Sequence, residues 1–65
     1  MPLLDVSLKA GRSPEQLREL IAELTATVQR VLGSPPEAVS VILREVPATH
    51  WANANTTLAE REAKS

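Results

Sequence analysis

Residues 13–33 read SPEQLRELIAELTATVQRVLG, and the reading of this stretch decides the fold. Ser13 can accept from the free amides that open a helix, and Pro14 suits the first helical position, where its missing N–H is not needed. Gln16 stands three residues after Ser13 and completes a capping box. Leu17, Leu20, Ile21, Leu24, Val28 and Val31 then recur at spacings of three and four. Arg18, Glu19, Glu23, Gln29 and Arg30 fall mostly on the other side, which is the pattern of an amphipathic helix of about five turns. Gly33 is placed to end it in a left-handed conformation, and Pro35-Pro36 forbid its continuation.

Upstream of this helix, Leu4, Val6 and Leu8 alternate with Asp5, Ser7 and Lys9, the period of a half-buried strand that Gly11 closes. Downstream, residues 39–46 form a second strand rich in β-branched and apolar side chains. Val39, Val41 and Leu43 share one of its faces, and Ser40, Ile42 and Arg44 share the other; Pro47 ends it. Residues 48–57, with His50, Trp51, Asn53 and Asn55, predict a loop or short hairpin. Residues 58–65 read as a charged tail with room for one helical turn, its Glu60-Arg61-Glu62 facing solvent. The chain is thus one α/β (α+β) domain over residues 1–65: β-α-β plus a short C-terminal hairpin. A helix between two strands of one sheet implies a parallel pair with a right-handed crossover.

A domain of 65 residues buries only about 60% of its unfolded surface, so its stability is marginal unless disulfides, a metal or self-association help. Cysteine is absent and His50 is the single histidine, which excludes disulfides and leaves no zinc site. Self-association remains. One helix cannot cover both faces of a two-stranded sheet, so pairing through the sheet is the physical expectation. Seven Lys/Arg against eight Asp/Glu give a net charge of -1, no footprint for nucleic acid. No apolar run approaches the roughly 20 residues that span a bilayer, and the first residues lack a basic signal-peptide region. A soluble, cytoplasmic chain with no membrane partner is expected, and the absence of cysteine fits a reducing compartment.

The usual catalytic inventory is nearly empty: no cysteine, no Ser-His-Asp order, no glycine-rich phosphate loop and no metal-ligand cluster. Attention therefore turns to Pro2. A small second residue favours removal of the initiator methionine, and removal of Met1 would leave Pro2 as a secondary amine in a rigid ring. An α-amino group titrates near 7.7–8.0 and secondary amines are somewhat more basic; an apolar pocket or nearby cations lower that value. A base tuned near neutral pH suits proton transfer between carbon and oxygen.

Pro2, the Gly11-Arg12-Ser13 turn, the capped helix ending near Gly33, the strand over residues 39–45 and the aromatic of His50-Trp51 occur together in a short chain beginning Met-Pro. In this combination the sequence resembles the 4-oxalocrotonate tautomerase family from residue 2 to about residue 60. The resemblance implies a β-α-β fold assembling as a homohexamer, a trimer of dimers, with sites built from neighbouring subunits and no cofactor. It further implies a keto–enol isomerase of small anionic 2-hydroxydienoates and 2-oxo acids such as 2-hydroxymuconate, a chemistry of aromatic degradation. In that family the terminal proline shuttles the proton, which would make Pro2 the catalytic base. Arg12 would bind a substrate carboxylate. Trp51 would stand where the family has a phenylalanine that keeps the pocket dry.

One position departs from the pattern. Ser40 stands where the family places a second arginine that polarises the 2-oxo group, a charge effect worth a few kcal/mol in a dry site. Arg44 shares the strand face of Ser40 but lies roughly 13 Å along it and cannot replace that group. Lys9 stands where classical members are apolar and where relatives that dehalogenate 3-chloroacrylates carry an extra arginine, so Lys9 joins the candidate substrate contacts. Those relatives also use a glutamate whose counterpart here is Asn53, which is no base. The alternatives are therefore a hydratase or dehalogenase of unsaturated (halo)acids, with Lys9 and Arg12 as anion clamp, or a non-catalytic subunit of a heterohexamer.

Overall fold

The computed structural model describes residues 2–64; Met1, whose removal the sequence suggests, and Ser65 at the end of the tail lie outside the described residues. Strand β1 spans Leu3–Lys9, helix α1 spans Pro14–Leu32 and strand β2 spans Ser40–Val46. The caps of α1 are those its sequence calls for. Ser13 Oγ accepts from the Gln16 amide at 3.1 Å while Gln16 Oε1 accepts from the Ser13 amide at 3.0 Å, a reciprocal cap worth about 1 kcal/mol. Gly33 ends the helix at φ 70°, its N–H bonded to the Gln29 carbonyl. A single 3₁₀ turn at Pro36–Ala38 then leads into β2, and Val39 closes that turn instead of opening the strand, since its N–H is used by the Pro36 carbonyl.

β1 and β2 pair in parallel, with Leu3 opposite Ser40 and Lys9 opposite Val46. Because strand side chains alternate, this register puts Leu4, Val6, Leu8, Val41 and Leu43 on one face. These five are half-buried, and α1 packs on that face through its Leu17, Leu20, Ile21, Leu24 and Val28 stripe. The opposite face carries Leu3, Asp5, Ser7, Ser40, Ile42 and Arg44, all exposed. Arg44 donates to both Asp5 carboxylate oxygens, at 2.8 and 3.1 Å, across this open face. The hydrogen bond and the charge of Asp5 hold the Arg44 guanidinium further above its ordinary pKa.

Beyond β2 the chain makes a 3₁₀ turn at Ala48–His50 and then a two-residue hairpin, β3 (Ala52–Asn53) against β4 (Thr56–Thr57). Ala54 and Asn55 at its tip both take positive φ, 51° and 65°, as a hairpin turn matching strand twist requires. The tail, given room for one helical turn by its sequence, is the helix α2 (Leu58–Ala63), with Thr57 as its N-cap and Glu60 completing the capping box. Thr57 and Glu60 exchange side chain-to-backbone bonds of 2.8 and 3.1 Å, a second capping box.

This architecture leaves the single chain without an interior. No side chain among the described residues is fully buried. The radius of gyration is 15.1 Å, where a compact chain of this length would have about 11 Å. Its accessible surface is 4801 Å² against roughly 4,000 Å² for a compact domain of the same size. Leu3, Ile42, Val31 and Leu32 remain 59%, 40%, 67% and 65% exposed. No helix of the described residues is long and apolar enough to cross a membrane.

Candidate active site

The parallel register sorts the candidate residues into two groups. At one end of the sheet, the Ser40 N–H donates to the Pro2 carbonyl at 2.9 Å, so β2 fixes the backbone of Pro2 as it enters β1. Pro2 itself is half-buried and the Ser40 side chain is exposed. At the other end, the Ala10 N–H donates to the Val46 carbonyl at 2.8 Å. Gly11 follows at φ 119°, a conformation few other residues adopt, and turns the chain so that Arg12 precedes the Ser13 cap. Lys9 closes β1 at this second end, opposite Val46, and Trp51 follows β2 after the Ala48–His50 turn. The seven residues of β1 separate the groups by about 20 Å, more than a small acid can bridge. Pro2 and Ser40 are brought together through their backbones, whereas Lys9 and Arg12 follow each other at the far end of β1 with different surroundings, Lys9 against Glu62 and Arg12 beside Leu8, Leu17 and Leu20.

Arg12 is exposed and makes no hydrogen bond or ion pair among the described residues. It borders a depression between sheet and helix lined also by Leu8, Gln16, Leu17 and Leu20. A cation beside three leucines is an apt seat for an organic carboxylate, because the apolar wall weakens competition from water. Lys9 is engaged differently: its ammonium donates to the Glu62 carboxylate of α2. Trp51 is half-buried, and its carbonyl accepts from the Leu58 N–H at 2.8 Å. Arg61 reaches back to the Asn53 carbonyl at 3.2 Å. His50 is exposed, its N–H closing the 3₁₀ turn on the Pro47 carbonyl.

Glu60, Arg61 and Glu62, which the sequence places in a solvated tail, thus each have a partner in the fold. Thr57-x-x-Glu60 is a legible capping box, hidden because six helical residues show no periodicity. The Lys9–Glu62 contact joins positions 53 apart and has no local signal. The Thr57 N–H holds the Glu60 carboxyl below its usual pKa. A group so depressed stabilises the fold above its unfolded pKa, and that contribution is lost as pH falls through the folded value. The emission of Trp51, the only aromatic residue, should therefore hold steady near neutrality and change as acid is taken below about 4.3. Glu60→Gln keeps an acceptor without a proton to gain, so it should flatten that change. An equal acid response in Glu60→Gln would show that another group controls it.

The comparisons with known proteins agree with this architecture. Residues 2–61 match the family described as Tautomerase enzyme. A probable tautomerase of Ralstonia nicotianae is 49% identical over 51 residues, covering 78% of this chain and 73% of that one. TomN, a 4-oxalocrotonate tautomerase homologue of the tomaymycin biosynthetic pathway, superposes with a TM-score of 0.93 at 44% identity, over 95% of each chain. A heterohexamer 4-oxalocrotonate tautomerase from Chloroflexus aurantiacus gives a TM-score of 0.87 at 38% identity, over 92% of this chain and 97% of that one. A capped helix crossing between parallel strands, the proline at the head of the first strand and these matches together make the chain a member of the tautomerase family, with the fold of the 4-oxalocrotonate tautomerases.

Proposed function

We propose that this chain is a keto–enol tautomerase of small anionic 2-hydroxydienoates and 2-oxo acids, 2-hydroxymuconate among them. Its base is the Pro2 amine freed by removal of Met1, and no cofactor takes part. The observation that carries this reading is the division of the site residues. Pro2 and Ser40 lie at one end of the sheet, and Arg12 follows the other end of β1. An antiparallel meeting of two such sheets brings the Pro2 of one chain over the Arg12 and Trp51 of its neighbour. The unfilled faces of the isolated chain favour such a meeting, and a homohexamer built as a trimer of dimers repeats it around a closed ring.

In this site Arg12 holds a substrate carboxylate by paired, charge-assisted hydrogen bonds. The Pro2 nitrogen takes the proton of the enol hydroxyl, the O–H electrons become the carbonyl π bond, and the displaced π electrons collect on carbon. The protonated amine then returns the same proton to that carbon, so the step is an isomerisation with no net redox change. Ser40 offers a neutral hydroxyl to the oxygen where charge develops. Trp51 excludes water and keeps the amine from being over-stabilised as its cation. The reaction fits a soluble cytoplasmic enzyme of aromatic-acid breakdown.

Dehalogenation or hydration is less well supported, because Lys9 is bonded to Glu62 and Asn53 carries no base. Ser40, a hydroxyl where the resemblance implies a cation, favours a second reading, a subunit that relies on a different chain for that charge. Ketonisation of phenylenolpyruvate, followed by ultraviolet absorbance beside an intact-mass measurement, tests the main reading. The rate should scale with the fraction of chains lacking Met1, since an amide nitrogen is not basic. Full activity in chains that retain Met1 would overturn it.

A further inference from the structure

We infer that Lys9 and Glu62 are positioning residues for Trp51: their ion pair seats the C-terminal unit, from the Ala48–His50 turn through α2, against the end of β1. The unit is bonded within itself. The Leu58 N–H donates to the Trp51 carbonyl at 2.8 Å, and Arg61 donates to the Asn53 carbonyl at 3.2 Å. The Thr57–Glu60 capping box starts α2 where the hairpin ends, and α2 rests on the Ala48–His50 turn and on β4. Trp51 and α2 are therefore parts of one body, and what holds α2 also holds Trp51. The bearing on catalysis rests on the pocket role proposed for Trp51; the tie itself does not.

Leu58 and Glu62 are four residues apart in α2, so they share one side of the helix, with about 6 Å of rise between them. One end of this turn bonds the Trp51 backbone, and the other meets Lys9, the last residue of β1. Lys9 is itself fixed by the parallel ladder, opposite Val46, and the Ala10 N–H closes on the Val46 carbonyl just beyond it. Glu62 thus grips a held part of the sheet. The covalent link from sheet to unit is Pro47, which has no N–H to extend the ladder. No side chain among the described residues is fully buried, so no deeply packed anchor fixes the unit and a modest force decides its seat. The Lys9 and Glu62 side chains are 36% and 53% exposed. A pair so open favours the seated arrangement by at most about fivefold, and salt weakens it.

Trp51 is the only aromatic residue, so its emission reports on this unit alone. In the assembled protein, acrylamide, an uncharged quencher, should quench Trp51 about twofold more strongly in Lys9→Gln and in Glu62→Gln than in the wild type. The wild type should approach the same level in about 1 M salt. The double variant should go no further than either single one, because both remove the same interaction. Exchanging the pair, as Lys9→Glu with Glu62→Lys, should return quenching to the wild-type value, which a general loosening of the fold would not do. Wild-type quenching in both single variants overturns the inference. So does a double variant that rises by the sum of the two, or an exchanged pair quenched as strongly as the singles. None of these measurements involves Pro2, so their outcome is independent of the phenylenolpyruvate rates that test the proposed reaction.

Discussion

Replacing Pro2 by alanine should lower kcat/KM for phenylenolpyruvate by about a hundredfold, the lower end of what a positioned general base contributes. The loss stops short of complete because alanine leaves a terminal amine that titrates near 7.7–8.0. What disappears is direction. The proline ring fixes φ, and the Ser40 N–H grips the residue's carbonyl, so the nitrogen lone pair has one orientation; a primary amine rotates. Arg12→Ala should act chiefly on KM, because it removes the seat of the carboxylate. The two variants together test the geometry more sharply than either alone. Pro2 and Arg12 stand at opposite ends of β1, so on the proposed function each site takes one residue from each of two chains. Unfolding and reassembling an equal mixture of the two impaired variants should restore about a quarter of the sites to wild-type function, those pairing an intact Pro2 with an intact Arg12. No recovery in a properly reassembled mixture would mean that both residues serve the same chain's site.

Much of this arrangement is legible in the sequence, and the rest is hidden for identifiable reasons. The helix announces itself because its signals are local: Ser13 and Gln16 cap each other, and Gly33 sits where a left-handed residue is needed. The two strands follow from alternation alone, and a parallel pair follows from a helix between them. Once the pair is parallel, Pro2 and Arg12 must lie apart, so even the need for a second chain is implicit in the order of elements. The C-terminal part is different. Its helix is shorter than two turns, its hairpin turns on Ala54-Asn55 with no glycine to mark it, and its tie to the sheet, Lys9 to Glu62, spans almost the whole chain. Lys9, read as a substrate contact, has in Glu62 a partner that no periodicity could reveal. The pairing of Arg44 was not legible. Arg44 is held by Asp5 across the open face, an interaction between neighbouring strands that depends on register.

The second large effect concerns that open face. Ile42→Asp should dissociate the assembly and, with it, unfold the chain. Ile42 is 40% exposed in the single chain, stands opposite Asp5 and diagonal to Leu3, itself 59% exposed, and shares with them the face that α1 does not cover. At about 25 cal/mol per Å² of apolar area, covering such side chains in every subunit is what an interior-free chain needs in order to persist. An aspartate there would be buried unpaired or would keep the face open. It also adds a second carboxylate near Asp5, drawing Arg44 away from its present partner. Sedimentation should show the loss of large species and circular dichroism the loss of helix. On the proposed two-chain site, activity should fall below detection. Ile42→Val, which keeps the apolar surface, should retain all three properties. The wild-type chain carries its own control, since a fold maintained by association unfolds at a temperature that rises with protein concentration. A concentration-independent midpoint, with a folded monomer on dissociation, would show instead that the chain is stable alone and that the exposed face of β1 and β2 is not what holds it together.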